Sequence, residues 1–197
     1  MLMTALPSMA AFALASSISP GPVNVVALSS GAQFGLSASM RHVTGATVGF
    51  SALLWLTGMG LHDVLNHWPH LTEVIQWAGV AFLLYMACKL ALDDGTLSEG
   101  KTPKRPSLIY GATMQWLNPK AWLASLAGMA AFAAHGEAAL VSQFTLIYFV
   151  ICYVSIACWA CAGALLRQHL RDARRVRFFN RVMAALLAAS ALYLLEA

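Results

Sequence analysis

Six long apolar runs, at about 4–33, 40–61, 71–92, 107–134, 138–166 and 178–196, are separated by short stretches in which most of the charged residues gather. Within each run the apolar positions are continuous. They do not alternate, as strands of a lipid-facing barrel would. A helix crosses a hydrocarbon core of about 30 Å with roughly 20 residues, and each run is about that long or longer. The pattern predicts an all-α integral membrane protein with six transmembrane helices, helices 1 to 6, in a single domain covering residues 1–197. The first run lacks a basic n-region and stays apolar well past Ala13 and Ala15, so it reads as a spanning helix and not as a cleaved signal peptide.

Composition agrees: 59% of the 197 residues are hydrophobic and 10% are charged, against about 25% charged in soluble domains. The basic residues then orient the chain. Eleven of the twelve lie in or beside the loops after helices 1, 3 and 5: Arg41; Lys89, Lys101, Lys104 and Arg105; and Arg167, Arg171, Arg174, Arg175, Arg177 and Arg181. The loops after helices 2 and 4 carry Asp63, Glu73 and Glu137 instead. The positive-inside rule places the basic loops in the cytoplasm and both termini outside, on the periplasmic face of a bacterial inner membrane. The net charge of +4 reflects topology and contact with anionic lipid; no nucleic-acid partner is implied.

Four cysteines, Cys88, Cys152, Cys158 and Cys161, fall within apolar runs, where free cysteine packs as a small hydrophobe. Cys158 and Cys161 have CxxC spacing, but no second pair or nearby histidine completes a metal site. His62, His67 and His70 gather around Asp63 in a spacing that matches no zinc signature, and they read as a solvated loop. No metal, cofactor or disulfide framework is expected.

Two of the six runs are interrupted near mid-span. Helix 1 contains Ser19-Pro20-Gly21-Pro22 and helix 4 contains Asn118-Pro119-Lys120. Proline removes a backbone donor and clashes with the preceding turn. A capping residue followed by proline also restarts a helix, so Ser19 and Asn118 are each expected to cap a new N-terminus inside the membrane. The breaks stand about half the chain apart. Each half, about 1–98 and 99–197, holds three helices, so the halves run in opposite senses. That is a 3+3 inverted repeat with broken helices 1 and 4, an arrangement that frames a midplane site in secondary transporters.

Lys120 is the charged residue placed deepest in a span, where burying an ammonium costs on the order of 3 kcal/mol or more. It is expected to face a polar cavity. Beside a helix N-terminus, which itself attracts anions, Lys120 suits a carboxylate. Asn24, Ser29, Gln115 and Asn118 add neutral donors and acceptors at similar depth. No acid and no histidine is expected near the midplane, which favours a neutral or zwitterionic amino acid over a cation. The candidate substrate-binding set is Ser19, Pro20, Gly21, Pro22, Asn24, Gln115, Asn118, Pro119 and Lys120. Gly21 is expected to allow close backbone approach, and Gly45 and Gly49, four apart, to let helices pack tightly.

At these residues the chain resembles the lysine exporter and homoserine/threonine resistance (LysE/RhtB) family, along essentially its whole length. Ser19-Pro20-Gly21-Pro22 is similar to that family's first-helix signature, Gly45-Ala-Thr-Val-Gly49 to its paired glycines, Asn118-Pro119-Lys120 to its helix-4 motif, and Trp77-Ala-Gly79 with Tyr85 and Lys89 to its third helix. Two positions depart from the family pattern. Val23 stands where asparagine is common, with Asn24 following, and Phe50 stands where many members carry an acid, which removes one candidate for proton coupling. Phe50, Ala27-Leu-Ser-Ser30 and Cys158-Trp159 with Ala162-Gly163 look most like the cysteine/O-acetylserine exporter branch. The resemblance implies export of a small amino acid from the cytoplasm by proton antiport, and the paired breaks suggest alternating access, with one repeat moving against the other; homo-oligomerisation is compatible with both. Other exported amino acids (homoserine/threonine, lysine) and a membrane thiol–disulfide conduit are the competing readings. The conduit needs cysteines near the two breaks, and helices 1 and 4 contain none. An intramembrane enzyme needs a nucleophile with a base, and Ser29 and Ser125 read as packing residues.

Overall fold

The computed structural model describes residues 2–61, 69–92, 107–133, 136–166 and 173–196. All regular structure among them is helical: α1 (Leu2–Ile18), α2 (Pro22–Phe34), α3 (Leu36–Leu56), α4 (Pro69–Ala91), α5 (Leu108–Trp116), α6 (Pro119–Phe132), α7 (Ala138–Leu166) and α8 (Ala173–Glu196). A π turn, Thr57–Leu61, ends α3. Of the expected outer-loop cluster, His62, Asp63 and His67 lie outside the described residues.

The prolines split the first and fourth runs. The axes of α1 and α2 differ by 61°, and α5 gives way to α6 at Asn118. Two other boundaries differ from expectation. Residues 34–39 read as a loop, yet Gly35 alone separates α2 from α3; its φ of 82° lies in the region that favours glycine. The polar residues around it close the turn, with Ser39 Oγ donating to Gly35 O at 2.8 Å and lying 2.8 Å from Ser30 Oγ. At the other end α8 begins at Ala173, so Arg174, Arg175 and Arg177 lie on a helix; arginine is a good helix former.

An 18-residue window of the 29-residue α7 has a mean hydropathy of 2.2, and the whole helix would extend roughly 43 Å at 1.5 Å rise. One stripe is buried: Val141, Phe144, Tyr148, Cys152, Ile156, Ala160 and Gly163. The opposite stripe, with Leu146, Val150, Val154 and Leu165, is equally apolar and exposed. A helix apolar on all sides with one face uncovered belongs in lipid. With α3 and the bent α1–α2 pair also apolar and long enough to cross, the chain is a multi-pass integral membrane protein.

The stripe of α7 packs against α1, α2 and α3; α3 packs in turn against α5, and α4 pairs with α8. In lipid no hydrophobic drive separates helix from solvent, so close approach depends on small residues. Gly45 and Gly49 share one face of α3, as expected, and that face lies against the backbone of Leu108 and Ala112 on α5. The α2–α7 crossing is reciprocal. A Cβ at Gly163 would run into the Leu28 carbonyl, and one at Gly31 into the Ala160 carbonyl. Backbone cannot yield as a side chain can, so Gly163→Val is expected to destabilise by about 2 kcal/mol, a melting temperature roughly 4–8 °C lower in detergent. An unchanged melting temperature would refute this crossing.

Candidate functional site

Each proline disfavours helical geometry in the residue before it. Ser19 precedes Pro20 and Gly21 precedes Pro22, and the chain leaves the helix at Ser19 and restarts it only at the second proline. The N-cap of α2 is therefore Gly21, with φ −175° and ψ 172° and no side-chain cap. This corrects the assignment of Ser19 as the cap: its hydroxyl donates to Ser16 O instead, at 3.1 Å. No side chain caps the N-terminus of α2 by a hydrogen bond. At the second break the expectation holds. Asn118 is extended, Pro119 follows, and Asn118 Oδ1 accepts from Lys120 N at 3.2 Å.

The C-terminal carbonyls of α1 need donors, because a broken helix in lipid leaves them without water. Asn24 Nδ2 donates to Ser17 O at 2.8 Å and to Ser19 O at 2.9 Å. Trp159 Nε1, on α7, donates to Ile18 O at 3.0 Å. Lys120 Nζ, on the first turn of α6, donates to Ser19 O at 2.9 Å, Ser19 Oγ at 2.7 Å and Pro20 O at 3.2 Å. The end of α5 is closed in a similar way, with Trp122 Nε1 donating to Trp116 O at 2.8 Å and Asn118 N to Gln115 O at 3.1 Å. Trp116 Nε1 reaches Gly49 O on α3 at 3.1 Å.

Next to this junction lies a small, partly open cavity of about 40 Å3. Of the expected residues, Gly21, Asn24, Gln115, Asn118 and Lys120 line it. Ser19 and Pro20 belong to the site through their bonds to Lys120. Pro22 and Pro119 are buried in the first turns of α2 and α6. Ser29 does not line it. Lys120 is half-buried and turned to the cavity, not to lipid. Gly21 departs from expectation: a Cβ there would meet only Lys120, at 3.5–3.6 Å, so close backbone approach does not require a glycine at this position.

The sequence left several walls unread. Ser16, Ser17, Phe50, Tyr148, Cys152 and Ile156 also line the cavity, and the Phe50 and Tyr148 rings stand 4.5 Å apart. Tyr148, Cys152 and Ile156 come at four-residue spacing along the buried stripe of α7, a pattern that an all-apolar helix hides. A buried histidine was not expected, but His42 is fully buried on α3, with Nε2 3.2 Å from Val23 O on the first turn of α2. The carbonyl of Val23 accepts, so this nitrogen carries the hydrogen. The four cysteines are free thiols, and only Cys152 reaches the cavity. No carboxylate lines it, and no group of metal-binding side chains occurs among the described residues.

What the arrangement offers chemically is one ammonium, an uncapped helix N-terminus and several neutral amide and hydroxyl groups at one small space, with a set of backbone carbonyls bonded to the ammonium behind it. Asn24 holds it together by bonding two carbonyls at once. Asn24→Ala leaves buried acceptors unpaired, and about 1–3 kcal/mol of stability is expected to be lost, read as a lower melting temperature of the purified protein. Wild-type stability in this variant would show that the carbonyls find other donors.

Comparison with known proteins bears on what this site serves. Residues 14–197 match the family model described as LysE type translocator. The cysteine/O-acetylserine efflux protein of Escherichia coli (strain K12) is 28% identical over 178 residues, which cover 89% of this chain and 90% of that protein. The protein of the same name from Salmonella typhimurium (strain LT2) is 26% identical over the same extent. No solved structure matches. The match covers both breaks, every cavity-lining residue and all the helices but the start of α1; the chain is a transporter and not an enzyme, and it belongs to the LysE-type translocator family.

Proposed function

We propose that this chain exports small neutral amino acids, with cysteine and O-acetylserine as the leading substrates, from the cytoplasm across the bacterial inner membrane. The observation that carries the reading is the bond set from Lys120 to Ser19 and Pro20. It ties together two interrupted helices 100 or 101 residues apart beside a polar cavity without an acid. The substrate's carboxylate is bound by Lys120 and the uncapped N-terminus of α2, with Asn24, Gln115 and Asn118 supplying neutral contacts. The names of the relatives favour a small sulfur- or oxygen-bearing side chain. Cys152, Tyr148, Ser16 and Ser17 give that side chain a polarizable and hydroxyl-lined wall.

In this reading the six spans are α1–α2, α3, α4, α5–α6, α7 and α8, with both termini periplasmic. The halves, about 1–98 and 99–197, form the inverted repeat. The packing supports it: if the halves are exchanged, α7 against the first broken span becomes α3 against the second, while the α3–α7 and α4–α8 pairs map onto themselves. Alternating access moves one half against the other around the paired breaks, driven by proton antiport.

Removing the ammonium removes bonds worth about 1.5–3 kcal/mol each when charged. Lys120→Met is therefore expected to insert and accumulate while export of cysteine falls by about tenfold or more. Efflux from preloaded vesicles should be faster for cysteine and O-acetylserine than for threonine or lysine, and should respond to an imposed pH gradient. Strong efflux of lysine without efflux of the neutral amino acids would contradict the site chemistry, and insensitivity to the gradient would contradict antiport.

A further inference from the structure

The three oxygens around Lys120 Nζ form an acceptor set for a primary ammonium: Ser19 Oγ at 2.7 Å, Ser19 O at 2.9 Å and Pro20 O at 3.2 Å. An ammonium has three N–H donors and no acceptor, so one such group fills the set. The two carbonyls stand just past the C-terminal end of α1 at Ile18, where the helix dipole places partial negative charge. The uncapped N-terminus of α2, with partial positive charge, begins only two residues later. The break therefore presents a cation-binding end and an anion-binding end side by side, which is the polarity of a zwitterion.

We propose that the acceptors now filled by Lys120 are the subsite for the substrate's own α-ammonium, so that an amino acid binds by inserting between Lys120 and the end of α1. This rests on the reading of the cavity as an amino-acid site and goes further, because it says what holds the amino group where no carboxylate is present. The Lys120 ammonium occupies the subsite as an internal stand-in.

Four observations support the exchange. Lys120, Gly21 and Asn24 line the cavity, and the acceptors, though outside its lining, stand one hydrogen bond behind the Lys120 ammonium. The lysine side chain runs over the bare backbone of Gly21, its Cδ and Nζ 3.5 and 3.6 Å from where a Cβ would stand, so swinging it away uncovers the start of α2. Asn24 Nδ2 stays bonded to Ser17 O and Ser19 O, which fixes the Ser19 carbonyl whether or not the lysine is there. The lining residues include no aspartate or glutamate to hold the amino group instead.

The exchange also conserves charge and hydrogen bonds. The incoming ammonium takes the three oxygens, and the displaced Lys120 takes the incoming carboxylate. A ligand with an amine and no carboxylate would leave Lys120 without an anion. A ligand with a carboxylate and no charged amine would leave the end of α1 without its donor. An unpaired buried polar group costs more than a missing contact, so the site discriminates against both.

The test is competition against radiolabelled L-cysteine on the purified full-length protein under reducing conditions. The competitors are unlabelled L-cysteine, O-acetyl-L-serine, N-acetyl-L-cysteine (no charged amine) and cysteamine (no carboxylate). N-acetyl-L-cysteine and cysteamine are each expected to bind about tenfold or more weakly than L-cysteine, the equivalent of one charged hydrogen bond. Ser19→Ala removes one oxygen of the set. It is expected to weaken L-cysteine several-fold while leaving N-acetyl-L-cysteine unchanged, a split that a merely structural serine would not produce. N-acetyl-L-cysteine binding as tightly as L-cysteine, or Ser19→Ala weakening both alike, overturns the subsite while the amino-acid reading stands. Failure of the wild-type protein to bind either L-cysteine or O-acetyl-L-serine overturns both.

Discussion

The structure depends on backbone carbonyls that a broken helix leaves without partners. In water they would be solvated; within a membrane each must find a protein donor. At the end of α1 the donors come from three places in the chain: Asn24 on the next helix, Trp159 on α7 and Lys120 on α6. This single need draws both halves of the sequence to one point and gives Lys120 a reason to sit inside a span. It also leaves the polar groups of the site in a shared orientation, with the helix C-terminus and the next N-terminus facing the same small cavity.

Around that point the packing follows the rules of lipid. Helices are brought close by the absence of side chains, at Gly31, Gly45, Gly49 and Gly163, where neighbouring backbone occupies the space a Cβ would need. These contacts involve α2 with α7 and α3 with α5, the helices that hold the two breaks in register. The aromatic rings of Phe12, Phe132, Phe144 and Tyr148 pack together on one side of the cavity, at centroid distances of 5.0–6.5 Å. Small residues set the spacing of the bundle, and large rings fill what remains.

The chemistry of the site is that of neutral dipoles and one fixed cation. Phe50 stands where many members of the family resembled carry an acid, and in this chain it forms a ring pair with Tyr148 on the cavity wall. A site of this kind gives a second cation no counter-charge, whereas a zwitterion brings both signs with it. That contrast links a single aromatic position to the zwitterionic substrate we propose, in keeping with the names carried by the relatives.

The sequence by itself determined the class of protein and the location of its unusual features. Proline geometry and hydrophobic run length are local properties, so the interruptions at Pro20–Pro22 and Pro119 and the Asn118 cap were legible, as was the uncommon charge at Lys120. What the lysine touches was not legible, because its partners lie about 100 residues away and are mostly main-chain oxygens, which no residue name reveals. Which of two proline positions restarts the helix also needed coordinates, since Ser19 and Gly21 are both followed by proline. The remaining walls, Tyr148, Cys152 and Ile156, and the burial of His42, were settled by tertiary structure alone. In a helix apolar on every face, hydrophobicity no longer separates inside from outside, and only the neighbouring helices decide which stripe becomes the site.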